Sequence, residues 1–262
     1  MPELPEVENF KRYLNATSLH QRIISVDVRD AYVLKGVTAP ELARRLKGRR
    51  FESSWRHGKH LFVRADGELW LRLHCGMTGS LRYFKGRGKA PNHVRVLLVF
   101  ANTHCLAFED QRKFGEIGLI KDVNEFLKKR VFGPDALDIS RSQFRDILRT
   151  HRGPVKSMLL NQKLIAGVGN IYADEILFRA RIHPATQASA LNEKTVTRLF
   201  RATRHILKKA IDANANVNLM PRSWLLPRRG KGGKCPRCGR QLKSATLGSR
   251  TAWFCTHCQK RI

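Results

Sequence analysis

The first residues of the chain hold the groups best suited to covalent chemistry. Removal of Met1 leaves Pro2 as the N-terminus, and a terminal amine with a pKa of about 8 is a nucleophile at neutral pH. Such an amine attacks a carbonyl carbon to give a Schiff base. Glu3 follows directly as a candidate proton donor or acceptor, and Glu6 lies one turn further on. We identify Pro2, Glu3 and Glu6 as candidate catalytic residues.

The same stretch also fits an ordinary helix start. A proline near the first helical position and acids in the first turn are typical of helix N-termini. The apolar spacing predicts an amphipathic helix whose stripe is formed by Leu4, Val7, Phe10 and Leu14. The pattern by itself leaves both interpretations open.

Four cysteines near the C-terminus have the spacing of a metal site. Cys235 and Cys238 form one CxxC pair, Cys255 and Cys258 form another, and 16 residues separate the pairs. Two such pairs fit tetrahedral thiolate coordination, with the spacer as a hairpin. We predict one structural Zn²⁺, and we expect Cys75 and Cys105 to be buried free thiols.

The charge balance predicts a polyanionic partner. Lys and Arg number 50 against 21 Asp and Glu, which gives a formal net charge of +29. Because the positive charge is spread along the whole chain, nucleic acid is favoured over a membrane surface. The sequence contains no run of 18 apolar residues, so no membrane span is expected. The acidic N-terminal segment does not resemble a secretory signal, so we expect a cytoplasmic, nucleoid-associated protein.

Periodicity divides the chain into a β-rich part and a helical part. Alternating apolar residues predict strands at 22–30, 50–55, 60–63, 68–74, 80–84, 93–101, 104–110 and 115–121. These strands predict two packed sheets. Helical periodicity predicts further helices at 41–47, 142–150, 155–161, 170–180 and 193–214. The expected domains are residues 1–132, residues 133–230 and a four-cysteine zinc finger at 231–262.

Two loops of the β-rich part hold side chains that are unusual in solvent. Met77 lies between glycines in one predicted loop, and Arg112 and Phe114 lie in another. A core could absorb either apolar side chain. Taken together, the three residues suggest a wedge that enters a DNA duplex where a nucleotide has been extruded.

A glycine-rich turn precedes the predicted helix at 170–180. Gly167 and Gly169 would let the helix amides approach a phosphate, and Asn170 could cap the helix and contact the anion. This short string is a weak signal by itself.

Longer strings resemble one enzyme family. PELPEVE at 2–8, GKHLF at 58–62 and LLNQKLIAGVGNIYADEILF at 159–178 are similar to the formamidopyrimidine-DNA glycosylase and endonuclease VIII family. The resemblance implies an α+β multidomain fold, with an N-terminal β-sandwich, a catalytic N-terminal helix, a helical helix-two-turn-helix domain and a zinc-finger hairpin. It also implies a monomeric bifunctional DNA glycosylase and AP lyase of base excision repair. Such an enzyme excises formamidopyrimidines through a proline Schiff base, and then cleaves damaged double-stranded DNA by β,δ-elimination.

The resemblance also assigns roles to individual residues. Lys59 matches the lysine that contacts the phosphate next to the lesion, and Arg250 matches the zinc-finger arginine linked to δ-elimination. The remaining positions, expected to contact DNA, are His74, Met77, His93, Arg112, Phe114, Arg152, Lys156 and Asn170.

Two departures qualify these expectations. The segment 216–234 is shorter than the lesion-capping region of many purine-specific members and lacks their glycine-serine-threonine string. Strong 8-oxoguanine preference is therefore in doubt, and an endonuclease VIII-like preference for oxidised pyrimidines or hydantoins is an alternative. Retention of Met1 would block the amine. The competing classes are a non-catalytic zinc-finger DNA-binding protein and a ribosome- or RNA-binding protein.

Overall fold

A computed structural model describes residues 1–86 and 90–261 and divides the chain into two units. The first unit contains Met1–Pro2 and Glu6–Val131, and the second contains Glu3–Pro5 and Phe132–Ile262. The second unit thus includes three residues from the N-terminal end of the chain. The domain boundaries expected from the sequence remain a prediction.

The first unit is built from two four-stranded antiparallel sheets. One sheet has the order β1-β6-β7-β5 and the other β2-β3-β4-β8. Its strands are β1 (Ile23–Val28), β2 (Phe51–His57), β3 (His60–Ala65), β4 (Leu69–His74), β5 (Ser80–Lys85), β6 (Val94–Phe100), β7 (His104–Glu109) and β8 (Glu116–Ile120). Helices α1 (Leu4–Ser18), α2 (Ala39–Leu46) and α3 (Val123–Lys129) complete the N-terminal half of the chain. All eight predicted strands are present, which confirms the predicted sandwich.

Alternation along the strands explains the core. Leu61, Val63, Leu71 and Leu73 from one sheet share a buried cluster with Val96, Leu98, Leu106 and Phe108 from the other. Burying one such side chain contributes about 1.5–3 kcal/mol. The other face of β6 and β7 forms a smaller cluster that includes Cys105, which is buried as predicted. Cys75 is also buried, and burial raises the pKa of its thiol to about 12.

The second unit is helical and ends in a hairpin. Its elements are α4 (Arg141–Thr150), α5 (Val155–Leu160), α6 (Asn170–Ala180), α7 (Glu193–Asp212), β9 (Lys243–Leu247) and β10 (Arg250–Phe254). Ser140 and Gln143 form a capping box at α4, and Asn192 caps α7. The predicted stripe of α7 is buried and includes Val196, Leu199, Ile206 and Leu207. No helix in the described part of the chain is long and apolar enough to cross a membrane.

Candidate active site

Glu3 lies at the N-terminus of α6. Its side chain is 1% exposed. Its carboxylate accepts hydrogen bonds from the backbone N–H groups of Gly169 at 2.7 Å, Ile171 at 2.9 Å and Tyr172 at 3.3 Å. These amides have no partner within the helix, and they carry the positive end of its dipole. Glu3 therefore acts as the cap of α6 although it lies far away in sequence.

The two glycines before α6 make room for this cap. A Cβ at Gly169 would overlap the carboxylate of Glu3, and a Cβ at Gly167, whose φ is +115°, would overlap the side chain of Leu4. We expected these glycines to admit a phosphate. The structure instead places residues of the N-terminal segment there, so Glu3 occupies the anion position of this helix. The expectation that Asn170 caps α6 is also wrong, because Gly169 is the N-cap and Asn170 is the first helical residue.

Pro2 and Glu6 flank the start of α1. Pro2 precedes the helix and is half-buried, whereas Glu6 lies in the first helical turn and is also half-buried. Met1 is 40% exposed at the end of the chain. The amine that aminopeptidase cleavage would release therefore belongs to a residue held directly next to the anchored Glu3.

Lys59 lies in a tight turn that a buried arginine braces. The predicted turn began at residue 56, but β2 continues to His57, and only Gly58 and Lys59 connect it to β3. Arg56 donates to the carbonyl of Gly58 at 3.1 Å and to the carboxylate of Glu8 in α1 at 2.9 Å. Burial would raise the pKa of Glu8, but hydrogen bonds from Lys11 and Arg56 outweigh burial and lower it. The half-buried Lys59 is thereby fixed relative to α1.

The loops that hold Met77, Arg112 and Phe114 are linked by one hydroxyl group. Thr78 donates through Oγ1 to a carboxylate oxygen of Asp110 at 2.5 Å, and the same oxygen atom of Thr78 accepts the N–H of Arg112 at 3.0 Å. Asp110 is fully buried and also accepts the N–H of Gly115 at 2.6 Å. The structure thus brings the two predicted wedge loops together.

The wedge side chains differ in exposure. Phe114 is 53% exposed, and the guanidinium of Arg112 lies 5.0 Å from the centroid of its ring. Met77 is half-buried. A large aromatic side chain left in solvent with a cation over its face is suited to stacking on a base. Sequence reasoning identified these three residues but missed Thr78 and Asp110, which connect their loops.

Two predicted histidines lie near these loops in the chain. His74 ends β4, and its Nδ1 accepts the N–H of Gly76 at 3.3 Å. Burial lowers the pKa of His74, which favours a neutral ring whose Nε2–H remains a donor. His93 is exposed with φ of +61°, and its carbonyl accepts the N–H of Asp110.

Lys156 does not occupy the position expected of a phosphate contact. Its side chain is 0% exposed, and its ammonium donates to Asp174 at 2.6 Å and to the carbonyl of Thr251 at 2.9 Å. Asp174 also accepts from Arg229 at 2.9 Å and from the N–H of Trp253 at 3.1 Å. Lys156 is therefore a buried residue that links α5 to α6 and β10. Its ammonium is unavailable to a phosphate in this structure.

The other predicted contacts of the second unit are more accessible. Arg152 is exposed between α4 and α5, and Asn170 is half-buried at the start of α6. Arg250 is exposed at the first position of β10, directly after the Gly248-Ser249 turn. Because β10 is tied to Asp174 and Lys156, the backbone beside Arg250 is held in place.

The four cysteines form the predicted metal site. Their Sγ atoms all lie within 4.8 Å of one another. Two cross-pairs, Cys235 with Cys258 and Cys238 with Cys255, are separated by 3.8 Å and 3.5 Å. Four thiolates bound to zinc at about 2.3 Å form a tetrahedron with edges of about 3.8 Å. The residues therefore fit one structural zinc ion. The cysteines pack against Phe178, Leu225 and Leu242.

Comparisons with known proteins agree with this architecture. Three family models match in succession: the formamidopyrimidine-DNA glycosylase N-terminal domain over residues 1–117, the formamidopyrimidine-DNA glycosylase H2TH domain over 132–219, and the zinc finger found in FPG and IleRS over 232–261. The formamidopyrimidine-DNA glycosylase of Chloroflexus aurantiacus is 35% identical, with 99% of this chain and 98% of that protein covered. The Pelobacter propionicus enzyme is 37% identical, with coverage of 99% and 100%.

Solved structures show the same similarity. A crystal structure of Lactococcus lactis formamidopyrimidine-DNA glycosylase bound non-covalently to DNA containing an AP site matches with a TM-score of 0.91 and 32% identity. The alignment covers 99% of this chain and 100% of the Lactococcus lactis chain. A second complex of the Lactococcus lactis enzyme, with DNA containing N7-benzyl-Fapy-dG, matches with a TM-score of 0.89 and 31% identity over the same shares.

The two-sheet unit, the capped helix and the four-thiolate hairpin together define a zinc-finger DNA glycosylase of base excision repair. The chain belongs to the formamidopyrimidine-DNA glycosylase family.

Proposed function

We propose that this protein excises oxidised bases from double-stranded DNA through the amine of Pro2 and then cleaves the strand as an AP lyase. The observation that carries the proposal is the anchoring of Glu3 by three backbone amides at the N-terminus of α6, including that of the N-cap Gly169. A carboxylate fixed in this way holds the adjacent Pro2 in one place. Precise positioning of a nucleophile contributes several kcal/mol to catalysis, of order 7–11 in the best cases.

The proposed reaction uses Pro2 and Glu3 in sequence. The amine of Pro2 attacks C1′ of the damaged nucleoside, and the bond from C1′ to the base breaks. Glu3 moves protons as the sugar ring opens and the iminium forms. The iminium makes the C2′ proton acidic, so β-elimination breaks the 3′ bond and δ-elimination then breaks the 5′ bond. We assign a supporting role near the amine to Glu6.

We propose that the remaining predicted residues hold the DNA. Lys59 and Arg250 contact phosphates at the lesion, with Arg250 assisting δ-elimination, and Met77, Arg112 and Phe114 fill the space of the extruded nucleotide. His74, His93, Arg152 and Asn170 contact the backbone. Lys156 acts indirectly, since it holds the strand that begins with Arg250. The zinc ion, when bound, keeps the hairpin folded and takes no part in the reaction.

We propose formamidopyrimidines as the preferred substrates. The related Lactococcus lactis enzyme has been solved with DNA carrying N7-benzyl-Fapy-dG and with DNA carrying an AP site. The short segment 216–234 supports weaker retention of 8-oxoguanine. A preference for oxidised pyrimidines or hydantoins is the alternative, and a panel of lesions separates the two.

Borohydride trapping tests the covalent step. Protein freed of Met1 is mixed with duplexes that carry an abasic site, a formamidopyrimidine, 8-oxoguanine or an oxidised pyrimidine. The control is the same chain with Met1 retained, in which the nitrogen of Pro2 is part of an amide. We expect covalent complexes only with the processed form. Equal trapping of both forms, or DNA binding without trapping or cleavage, would overturn the proposal in favour of a binding protein. Competition by RNA would test the alternative of a ribosome- or RNA-binding protein.

We also propose that the enzyme works as a monomer on the nucleoid. Its charge of +29 favours residence on DNA. A fluorescent fusion placed at the C-terminus leaves the N-terminal amine free and reports the location. Light scattering at several concentrations reports the mass in solution. A diffuse signal in cells, or a mass of two chains, would contradict the respective part of the proposal.

A further inference from the structure

A basic groove lies between the C-terminal end of α6 and the N-terminal half of α7. Its volume is about 650 Å³, and the charged or titratable side chains that line it are Arg179, Glu193, Lys194, Arg198, Arg201 and His205. We call it the α7 groove. None of these residues belongs to the predicted site. Arg179 lies nine residues after Asn170, which at 1.5 Å per residue places it about 13 Å along α6 from the end that holds Glu3.

Positive charge in the α7 groove is poorly compensated. Its one acid, Glu193, is already bound to Arg149. In the part of the chain that the structure describes, Arg179, Lys194 and Arg201 have no acidic partner. Burial lowers the pKa of the nearby His205, and the positive charges of Arg179 and Lys209 lower it further. Cations crowded in this way repel one another, and a bound polyanion would relieve that repulsion.

The groove is partly rigid. Arg198 is half-buried, and its Nε donates to the carbonyl of Ala180 at 2.7 Å. Its NH2 group lies 3.5 Å from the hydroxyl of Thr195. The guanidinium is therefore held at the end of α6 before any ligand binds, which reduces the entropy lost on binding.

Three cations and a histidine, whose lowered pKa leaves it a neutral hydrogen-bond donor at pH 7, form a row along α7. Lys194, Arg198, Arg201 and His205 follow one another at spacings of four, three and four residues, so they share one face of the helix. The row extends about 16 Å at 1.5 Å per residue. One strand of duplex DNA presents a phosphate about every 3.4 Å along its axis, so the row matches the backbone of roughly five base pairs. A single phosphate ion would use only part of it.

We propose that the α7 groove binds the phosphate backbone of a second duplex while the proposed active site engages the first. The inference rests on the proposed function only in that the first duplex is held at the site described above. Simultaneous contact with two duplexes lets the protein pass directly from one to the other. Dissociation from one duplex then becomes faster as the concentration of the second rises.

The test measures this transfer directly. Protein is bound to a fluorescent undamaged duplex, and its release is followed at increasing concentrations of an unlabelled duplex. The groove variant combines Lys194→Ala with Arg201→Ala, both at exposed positions outside the proposed site. The matched control combines Lys128→Ala with Lys129→Ala, which removes the same charge from exposed positions of α3. Sedimentation with two differently labelled duplexes detects one protein carrying both.

We expect release of the wild type and of the α3 variant to accelerate with competitor, and release of the groove variant to be independent of it. The salt dependence of second-duplex binding should fall by about 2 in log–log slope when two phosphate contacts are lost. The proposal would be overturned if competitor DNA accelerated release equally from all three proteins. It would also be overturned if both variants lost this acceleration to the same extent. Because undamaged DNA is used, failure of the catalytic proposal would leave this result unchanged, and single-turnover excision reports catalysis separately.

Discussion

The ammonium of Lys156 and the carboxylate of Asp174 form a fully buried ion pair, 2.6 Å apart. Each partner has a second attachment to β10, through the carbonyl of Thr251 and the N–H of Trp253. Burial lowers the pKa of Lys156, and the charge of Asp174 opposes that effect. The pair therefore connects the two helices of the predicted DNA-binding motif to the strand that begins with Arg250.

Replacing Lys156 with Met should loosen the hairpin. Removing one partner of a buried pair costs about 3–5 kcal/mol, and the loss should lie toward the lower end here because Arg229 still contacts Asp174. We expect a lower free energy of unfolding in urea and faster amide exchange in β10. Adding Asp174→Asn should recover part of the loss. Unchanged exchange at β10 in K156M would show that the pair does not hold the strand.

Replacing Gly169 with Ala should displace Glu3. The added Cβ would overlap the carboxylate, so the cap of α6 must break or the segment must shift. We expect Schiff-base trapping to fall at least tenfold while DNA affinity changes little, because the second unit keeps its other contacts. Gly36→Ala is the control for a strained glycine substitution outside the site: its Cβ meets no atom within 4 Å, but its φ of +73° strains the backbone, so it lowers stability while leaving Glu3 in place. Normal trapping by G169A would remove the anchored Glu3 from the mechanism.

Replacing Thr78 with Val should separate the wedge loops without changing their volume. Two hydrogen bonds are lost, to Asp110 and from Arg112. A hydrogen bond contributes about 0.5–1.5 kcal/mol, so we expect excision from duplex DNA to slow about tenfold. Cleavage at an abasic site in single-stranded DNA should be unaffected, because no base must be extruded from a stack. Equal slowing on both substrates would argue against the wedge.

Removing zinc should unfold the hairpin and spare the first unit. The binding energy of a structural zinc, of order 10 kcal/mol, is folding energy for its module. With a strong chelator we expect amide exchange to rise across β9 and β10, while β6 and β7 keep their protection. Strand cleavage should fall with the hairpin, and added zinc should restore it. Retained protection of β9 and β10 without metal would contradict a structural role for the ion.

Glu175 should make stability depend on pH. It is buried and accepts the N–H of Leu226 at 2.8 Å, and burial raises its pKa from 4.5 to about 7. Between pH 4.5 and about 7 the carboxyl of Glu175 is ionised in the unfolded chain and protonated in the folded chain. Stability should therefore fall as pH rises from about 4.5 to 7, by up to about 3 kcal/mol, and then level off.

The matched comparison for this effect is Glu175→Gln. The difference in unfolding free energy between the two proteins, measured at each pH with saturating zinc, cancels the titration of all other groups. We expect the difference to grow in favour of the variant between pH 5 and 7. A constant difference across this range would show that the carboxyl does not titrate there.

The sequence predicted the elements of this protein better than it predicted the contacts between them. The apolar run of β6, in which six of seven residues are buried, and the apolar stripe of α7 are local patterns, and each was sufficient to place its element. The cysteine spacing likewise determined the metal site.

Contacts between distant residues had no such local signal. The family resemblance predicted a DNA contact for Lys156, and nothing local indicated that its ammonium is buried against Asp174, 18 positions away. Thr78 and Asp110 are 32 positions apart. The glycines before α6 were expected to admit a phosphate, and nothing local indicated that the carboxylate of Glu3 lies there instead.

Glu3 and the amides that hold it are separated by at least 166 positions. A ribosome synthesises the chain from its N-terminus, so residue 3 leaves the exit tunnel long before Gly169 is translated. During most of synthesis the terminal amine thus has a neighbour with no fixed position. Glu3, next to the nucleophile of the proposed reaction, is anchored only when the second unit has folded, so a chain that ends before Gly169 has no fixed carboxylate beside Pro2.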